Sequence, residues 1–461
     1  MVQRLKRVLV VFTTLVATFL PQASVAETLT DALISAYRHS GLLDQNRALL
    51  RAADEDVAVS VAALRPSINY AISQKWSNTQ PMPGTSVSLS ATLSASLLLY
   101  DFGRSELGIA LAKENVMATR EMLVGVEQNV LLRAVAAFLN VRSAAENSAL
   151  QASNVRLITQ ELRAARDRFE VGEITQTDVS MAEARLAGAK AAEAAAAGSL
   201  LIAREEYKAA TGHYPGTLQA PPTPPVTVKT LAEARALGRL RHPDMLAGQR
   251  NVTIAEMNVE MALLAMKPSL TANANATYSY NYGDPDTSNT QLGLTLQGPI
   301  YQGGRMSAMY RKAQAMRDAS RAALHVIGQG IDQNIGNAWA QLAIAAASRE
   351  ATARQIRAST VALRGAREEQ SLGARTTLDV LNAEQSLLDA RASAITAQSD
   401  QYLAVYQLLS AMGLLTAEHL NLGIATYDPE AYYNAVKSAP TYQVSPQGER
   451  LDAVIKALGL E

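Results

Sequence analysis

The sequence predicts a mixed α and β membrane protein whose chain is a tandem duplication of one helix-and-strand unit. Three observations lead to this fold class: a repeat with an offset of 201 residues, four segments of alternating polarity, and two very long helical stretches without proline. We divide the chain into a leader, a first repeat, a proline-rich linker, a second repeat and a C-terminal equatorial segment. Their bounds are 1–26, 27–212, 213–228, 229–413 and 414–461.

The repeat is clearest around two glycine motifs. In each motif a hydrophobic residue and a glycine precede a threonine, an aspartate and an alanine–glutamate pair at identical spacing. These residues are Val171, Gly172, Thr175, Asp178, Ala182 and Glu183 in the first copy, and Leu372, Gly373, Thr376, Asp379, Ala383 and Glu384 in the second. Chance matches would scatter in offset, so the common offset indicates duplication.

Two segments in each half alternate between apolar and polar residues over about 10 residues, which is the length of a tilted membrane strand. They cover 68–76 and 87–97 in the first half, and 270–280 and 292–300 in the second. The Ser, Thr, Asn and Gln side chains of one face suit a water-filled lumen, and the apolar face suits lipid. Prolines and glycines at 81–84 and 283–285 predict exposed loops between the strands.

Helical stretches surround the strands. In each half a helix of moderate length precedes the strands, a very long one follows them, and a third runs back after the glycine motif. We place them at 29–64, 105–169 and 175–210 in the first half, and at 231–266, 306–370 and 376–411 in the second. Pro66 and Pro268 end the first helix of each half, because proline cannot continue a helix. Each very long helix would reach about 100 Å if continuous.

The leader has the three parts of a secretory signal peptide. A basic start precedes an apolar run, Val8 to Leu20, which is shorter than the ~20 residues of a membrane-spanning helix. Small residues from Ser24 to Ala26 then occupy the usual cleavage positions. We therefore expect an exported protein, and we expect no later stretch that is long and apolar enough for a transmembrane helix.

The composition argues against several classes of protein. Lys plus Arg and Asp plus Glu both number 42, so no basic surplus favours nucleic acid. The absence of cysteine rules out disulfides and thiolate metal sites. The five histidines are scattered, and no catalytic constellation, metal-ligand spacing or phosphate-binding glycine loop occurs. We expect no enzyme activity, no cofactor and no metal.

The predicted strands require other copies of the chain. Four strands cannot close a barrel, since single-chain barrels begin at eight, and open sheet edges are not tolerated in lipid. Two copies would supply eight strands around a filled interior, and three would supply 12 around a channel. The long helices of the copies would then form a helical tube in line with the barrel.

On these residues the chain resembles the TolC-like outer-membrane efflux and secretion channels. The resemblance covers about Leu29 to Leu414 and rests on the two glycine motifs together with the duplicated pairs Gly103-Arg104 and Gly304-Arg305. It implies a homotrimer with a 12-stranded barrel in outer-membrane lipid and a coiled-coil tunnel across the periplasm. It also implies two partners, a periplasmic adaptor (a membrane fusion protein) and an inner-membrane transporter of the resistance-nodulation-division (RND) or ABC class.

The resemblance further implies a gate at the periplasmic tip. By position, Arg375 matches the gate arginine, Asp178 its acidic partner on the neighbouring hairpin, and Asp379 an aspartate ring at the constriction. Arg375 has no counterpart in the first half, where Ile174 stands at the equivalent position. The other interpretation is that the two aspartates cap helix N-termini, where the helix dipole favours negative charge.

Two positions depart from the pattern of the family. Asn382 stands where the family has a second aspartate, and Gln370 stands where it has a constriction tyrosine. We therefore expect weaker cation binding at the inner mouth and a less complete gate network. The turns at Val171-Gly172 and Leu372-Gly373 are predicted to dock the adaptor tip to tip.

Two alternatives stay open at this point. A periplasmic coiled-coil adaptor or scaffold without a channel would explain the helices and the export signal, but not the four alternating strands. Within the channel class, multidrug efflux and type I protein secretion use the same kind of duct, so the sequence does not choose between them.

Overall fold

The computed structural model describes residues 26–78, 85–222, 224–225, 228–282, 284–440 and 446–457. Most of the predicted leader therefore lies outside the described residues, as do the loop residues 81–84, Gly283 and parts of the linker. The chain divides into two compact units, which are described separately. The helical unit comprises Met1–Ser40, Leu131–Pro225 and Ala343–Tyr406; the strand unit comprises Gly41–Val130, Val226–Leu342 and Gln407–Glu461.

Both halves of the chain have the same order of elements: two short helices, two strands, a very long helix and a return helix. The first half contains α1 Leu29–His39, α2 Gly41–Ala62, β1 Ser67–Asn78, β2 Thr85–Tyr100, α3 Arg104–Glu170 and α4 Gln176–Thr211. The second half contains α5 Leu231–Arg241, α6 Pro243–Leu264, β3 Ser269–Asn281, β4 Thr287–Gln297, α7 Arg305–Ser371 and α8 Thr377–Ala411. Helices α9 Pro429–Val436 and α10 Pro446–Ala457 follow. The shared order confirms the tandem duplication.

The four strands form one antiparallel sheet in the order β1-β2-β3-β4. Its register places Tyr70 opposite Leu93 and Ala272 opposite Leu294, so the apolar residues share one face. On the other face polar groups meet across strands: the Ser73 and Ser90 hydroxyl oxygens lie 2.8 Å apart. Strands β1 and β4 leave the two outer edges of this sheet unpaired within the described residues. The predicted alternation is therefore confirmed.

The sequence predicted one helix before the strands in each half. This prediction is wrong, because the structure has two helices there. Ser40 has extended backbone and ends α1. His242 is likewise extended, ends α5 and caps α6, and Pro243 stands in the first turn of α6. A residue before proline avoids the helical conformation, and proline suits the first position of a new helix. The prediction overlooked Pro243.

The sequence analysis also expected no later stretch long and apolar enough for a transmembrane helix. This expectation is wrong as far as helix length and composition are concerned. An 18-residue stretch in each of α3 and α4 is apolar enough to cross a membrane. Helices that pack tightly against each other have the same alanine-rich composition. The finding therefore does not by itself assign either helix to a bilayer.

In the helical unit, each long helix packs against its return helix near the turn that joins them. Three of the four buried positions in each contact are equivalent in the repeat. They are Leu162, Ala165, Val179 and Ala182 between α3 and α4, and Leu363, Ala366, Val380 and Leu387 between α7 and α8. Ile158, Ala189 and Leu381 form a further buried cluster that joins the first hairpin to the second. The two hairpins of one chain therefore lie side by side in this unit.

In the strand unit, the C-terminal segment packs against α2. Ala58 of α2 forms a buried cluster with Tyr432, Val436 and Ala439, and residues of α10 cover it. The sequence predicted a short final helix from Leu451, which begins earlier, at Pro446. It missed α9, although Asp428 as N-cap and Pro429 in the first turn are common helix-start residues.

Candidate functional site

Two turns of the helical unit reverse the chain, one between α3 and α4 and one between α7 and α8. Gly172 and Gly373 each have φ of +78°, the left-handed conformation that glycine adopts without steric cost. Their N–H groups donate to the carbonyls of Phe169 and Gln370, each at 2.9 Å. A Cβ atom added at either glycine would meet nothing within 4 Å. The glycines are therefore required by the backbone direction and not by a close contact.

The turns present one large hydrophobic side chain each. Val171 is 72% exposed and Leu372 is 83% exposed. Both stand directly before the turn glycine, so the two predicted docking pairs, Val171-Gly172 and Leu372-Gly373, form the ends of the hairpins in this unit. Adaptor docking at these turns stays a prediction.

The helix that follows each turn begins with a capping box. In the first, Asp178 Oδ2 accepts hydrogen bonds from the Thr175 N–H at 2.9 Å and the Thr175 hydroxyl at 2.7 Å. In the second, Asp379 Oδ2 accepts from the Thr376 N–H at 3.1 Å and the Thr376 hydroxyl at 2.8 Å. Each threonine hydroxyl in turn accepts from the N–H of its aspartate. Both aspartates thus have the capping role that the alternative interpretation gave them.

These hydrogen bonds stabilise the charged form of both carboxyls. The Thr175 N–H and hydroxyl lower the pKa of Asp178. The Thr376 hydroxyl and N–H lower the pKa of Asp379, with a smaller contribution from Arg375. Both carboxylates therefore carry negative charge at neutral pH. The described bonds use only Oδ2, so the capping role does not occupy Oδ1.

Arg375 lies in the second turn and pairs with Glu369 across that turn. The two side chains are 49% and 51% exposed, and the hydrogen bond to Glu369 raises the pKa of Arg375. Within the single chain the described ion pairs do not join Arg375 to Asp178. The predicted contact between these two residues is left untested, because it concerns the neighbouring hairpin.

The two departures from the family pattern both make hydrogen bonds. Gln370 Nε2 donates to the Thr377 hydroxyl at 3.2 Å, inside the second hairpin. Asn382 Oδ1 accepts from Arg185 Nη2 at 2.8 Å, which links the second hairpin to the first. Arg185 also lines a cleft of about 680 Å³ between the hairpins, together with Gln151, Leu381 and other residues. The sequence reasoning missed Arg185, because its partner lies 197 residues away.

A second link between the hairpins was also missed. Arg367 Nη2 lies 2.5 Å from Glu384 of its own hairpin and 3.4 Å from Glu161 of the first hairpin. The side chain of Glu384 is only 2% exposed, and burial raises its pKa despite Arg367. The repeat held a signal for this site, since Arg166 and Glu183 stand at the same spacing one repeat earlier and also pair, at 2.6 Å.

The geometry therefore defines a duplicated membrane-channel subunit with two capped helical turns and an asymmetric set of charges beside them. No cluster of three or more His, Cys, Asp or Glu side chains that could hold a metal occurs in the part of the chain that the structure describes.

Comparison with known proteins agrees with this class. The profile of the outer membrane efflux protein family matches the chain twice, over residues 35–213 and 236–414. The chain belongs to this family, and the double match again reflects the duplication.

Individual relatives extend over nearly the whole chain. The outer membrane efflux protein BepC of Brucella suis is 36% identical over 421 residues, which is 90% of this chain and 92% of the relative. The outer membrane protein TolC of Vibrio cholerae is 26% identical over 439 residues, 90% of this chain and 97% of the relative. Among solved structures, CusC superposes with a TM-score of 0.73 at 20% identity over 84% of this chain and 92% of CusC, which shows the fold.

The predicted resemblance to TolC-like channels is thereby confirmed. The protein is an outer-membrane exit duct that extends into the periplasm, and its family consists of transport channels. These findings do not favour the alternative of a periplasmic scaffold without a channel.

Proposed function

We propose that three copies of this chain join edge to edge and form a 12-stranded barrel in outer-membrane lipid. The observation that carries the proposal is the four-stranded sheet, which has two unpaired edges and one apolar face. Unpaired backbone groups are not tolerated in lipid, so the edges must meet strands of other copies. Eight strands would leave an interior filled by side chains, whereas 12 leave room for a conducting lumen.

In this proposal the trimer is the passive outer component of a three-part export system. A periplasmic adaptor docks on the turns at Val171-Gly172 and Leu372-Gly373, and an inner-membrane transporter of the RND or ABC class supplies energy. The chain itself has no catalytic role. The same duct would serve multidrug efflux or type I secretion, and an RND or ABC transporter gene beside this gene would assign one of them.

The gate belongs to the same proposal. Asp178, Arg375 and Asp379 provide the charges of a closed periplasmic tip, and Gln370 and Asn382 provide neutral hydrogen-bonding groups beside them. Support comes from Arg375, which gives the second turn a positive charge where the first turn has Ile174. Its pairing with Glu369 is exposed, so the guanidinium can exchange that partner for a carboxylate of another hairpin.

The barrel is tested with two lysine substitutions at adjacent positions of β4. Leu292 lies at the centre of the strand on the apolar face, is 83% exposed, and pairs with Ala274. Its neighbour Gln291 lies on the polar face. A lysine on the lipid side near the bilayer centre costs about 2–4 kcal/mol, whereas the lumen accepts it.

We expect Leu292→Lys to deplete heat-modifiable trimers from detergent-extracted outer membranes and Gln291→Lys to leave them near normal. If the two variants assemble equally well, or if the protein is released by osmotic shock, the barrel proposal is wrong.

A further inference from the structure

The strand unit contains an acid and an arginine at equivalent positions of both halves of the chain. They form an ion pair in the second half but not in the first. In the second half, Arg321 of α7 lies 2.6 Å from Glu256 of α6, and both side chains are about half exposed. The helices before the strands repeat with an offset of 202 residues, since α2 begins at Gly41 and α6 at Pro243, and the later helices repeat with an offset of 201. The equivalent residues of the first half are therefore Asp54 of α2 and Arg120 of α3. An acid and an arginine thus face the same pair of elements in both halves.

In the first half the pair is not formed. Asp54 is completely buried, and neither of its carboxylate oxygens has a hydrogen-bond partner among the described residues. Arg120 instead donates to the carbonyl of Pro429 at 3.3 Å and to Glu430 Oε1 at 3.5 Å, while its Nε is buried without a partner. Both oxygens of Asp54 and the Nε of Arg120 are therefore buried without a hydrogen-bond partner among the described residues.

Arg120 bonds to the C-terminal segment, which we define as residues 427–440, in place of Asp54. Tyr427 and Tyr433 pack against the buried cluster of Leu50, Val57 and Val116, on the face of α2 that carries Asp54. The guanidinium of Arg120 lies 5.3 Å from the centre of the Tyr433 ring. The segment thus covers the first-half pair.

Several other charged and titratable groups surround this site. On α2 they are Arg47, Arg51 and Glu55, and on the C-terminal segment Tyr427, Asp428, Glu430, Tyr432, Tyr433 and Lys437. Arg65, which follows α2, donates to the carbonyls of Ser438 and Ala439 and holds the far end of the segment. Of these, Tyr432 donates to Glu55 Oε1 at 2.7 Å, so Glu55 is engaged with the segment. Asp54 is the fully buried carboxyl of the group.

We propose that Asp54, Arg120 and the C-terminal segment form a proton-controlled latch in which Arg120 exchanges between two acceptors. When Asp54 is protonated, Arg120 binds the carbonyl of Pro429 and the carboxylate of Glu430 and holds the segment against α2 and α3. When Asp54 loses its proton, its carboxylate competes for Arg120, and the pair seen in the second half forms in the first. The segment then loses its anchor on α3.

The direction of the pH dependence follows from the burial of Asp54. Burial raises its pKa to about 7 from an ordinary value of 3.8, although Arg120 opposes the shift and Glu55 adds to it. A carboxyl whose pKa is raised in the docked form stabilises that form fully below its ordinary pKa. This stabilisation is lost as the pH rises through about 7. The segment is therefore held more firmly in mild acid than in mild base.

The chain has no cysteine, so one introduced thiol reports on the latch in the full-length protein in detergent. Val436 on α9 belongs to the segment and is fully buried where the segment packs against Ala58 of α2. Asn434 on the same helix is exposed. The rate of maleimide labelling of Val436→Cys, divided by that of Asn434→Cys, removes the effect of pH on thiol reactivity. We expect this ratio to rise between about pH 6 and pH 8, by at most about tenfold per pH unit for one proton.

Three further substitutions, each combined with the two cysteine variants, test the mechanism. Asp54→Asn cannot ionise, so the ratio should stay low at every pH. Arg120→Gln removes the anchor on α3, so the ratio at pH 6 should exceed that of the otherwise unaltered chain. Glu256→Gln breaks the counterpart pair in the second half and should leave the rise intact. A ratio that does not change with pH in the otherwise unaltered chain, or a rise that persists in Asp54→Asn, overturns the latch.

Discussion

The turn of the first hairpin and the turn of the second have the same backbone but different charges. Gly172 and Gly373 share a φ of +78°, and Thr175 and Thr376 cap the following helices in the same way. Beside this common frame, Ile174 of the first turn packs against the hairpin core, whereas Arg375 of the second is half exposed and pairs with Glu369.

This comparison separates the features that reverse the chain from the charge that is proposed to hold the gate closed. Reversing the chain requires a left-handed residue and a capped helix start, and both copies keep them. Neither requirement involves position 174 or 375. Neither requirement explains why an exposed arginine stands where the first turn has the packed Ile174, and this exchange supports the proposal that Arg375 acts in opening and closing.

The largest expected effect concerns the part that the turns share. Gly172→Trp and Gly373→Trp should each abolish export, because the new side chain covers the surface proposed to dock the adaptor. The fold should survive, since a non-glycine residue in this conformation costs only about 1–2 kcal/mol and its Cβ meets no neighbour. Export in cells and trimer content of the outer membrane are measured together.

Alanine at the same glycines is the matched control, because it carries the same backbone strain without the bulk. We expect near-normal export from Gly172→Ala and Gly373→Ala. Normal export from both tryptophan variants would remove the docking proposal.

The next effect concerns the part that differs. Arg375→Ser should raise single-channel conductance in planar bilayers several-fold. It removes the positive charge proposed to hold the tip closed, which the first turn lacks because it has Ile174 at the equivalent position. Asp178→Ala should do the same, but it also removes a helix cap. Asp178→Asn separates the two, since the amide oxygen of asparagine at this N3 position still accepts from the Thr175 N–H and hydroxyl but carries no charge.

Ile174→Ser is the control for Arg375→Ser, since it alters the equivalent position of the first turn. Glu369→Ala tests whether the partner within the hairpin matters. Unchanged conductance in both Arg375→Ser and Asp178→Asn would contradict the gate assignment.

A third effect compares two ion pairs at equivalent positions. Arg367→Ala leaves Glu384 buried without its partner, which costs about 3 kcal/mol, whereas Arg166→Ala breaks an exposed pair that contributes about 0–1 kcal/mol. The pKa of Glu384 is already raised by burial, so the deficit of Arg367→Ala should be smaller at mildly acidic pH, where the carboxyl binds a proton. Thermal unfolding of both variants at two pH values measures this. Equal losses of stability in the two variants would show that burial of Glu384 does not add to the cost of removing its arginine partner.

The sequence was sufficient for features that repeat or alternate. Polarity with a period of two located all four strands, and the common offset located both turns, because these patterns depend only on neighbours along the chain. It was insufficient where a partner comes from far away. Arg185 and Asn382 are 197 residues apart, and the anchors of Arg120 at Pro429 and Glu430 are more than 300 residues away. No local spacing encodes such contacts.

The broken first helices were a different kind of error. Pro243 was visible in the sequence, but the prediction took account only of the later proline, Pro268. In the first half no proline marks the break, and only Ser40 with extended backbone does. The break between α5 and α6 could therefore be read from Pro243, whereas the break between α1 and α2 has no proline to mark it.

The smallest expected effect returns to what the two turns share. Thr175→Ala and Thr376→Ala each remove the hydroxyl of a capping box, and such a loss costs about 1 kcal/mol of local helix stability. Because the two boxes have nearly the same bond lengths, the two substitutions should speed amide hydrogen exchange at the start of α4 and α8 by similar factors. Thr175→Ser and Thr376→Ser keep the hydroxyl and should show little change. A clear difference between the alanine variants would mean that the charges beside the second turn, and Arg375 above all, also stabilise its backbone.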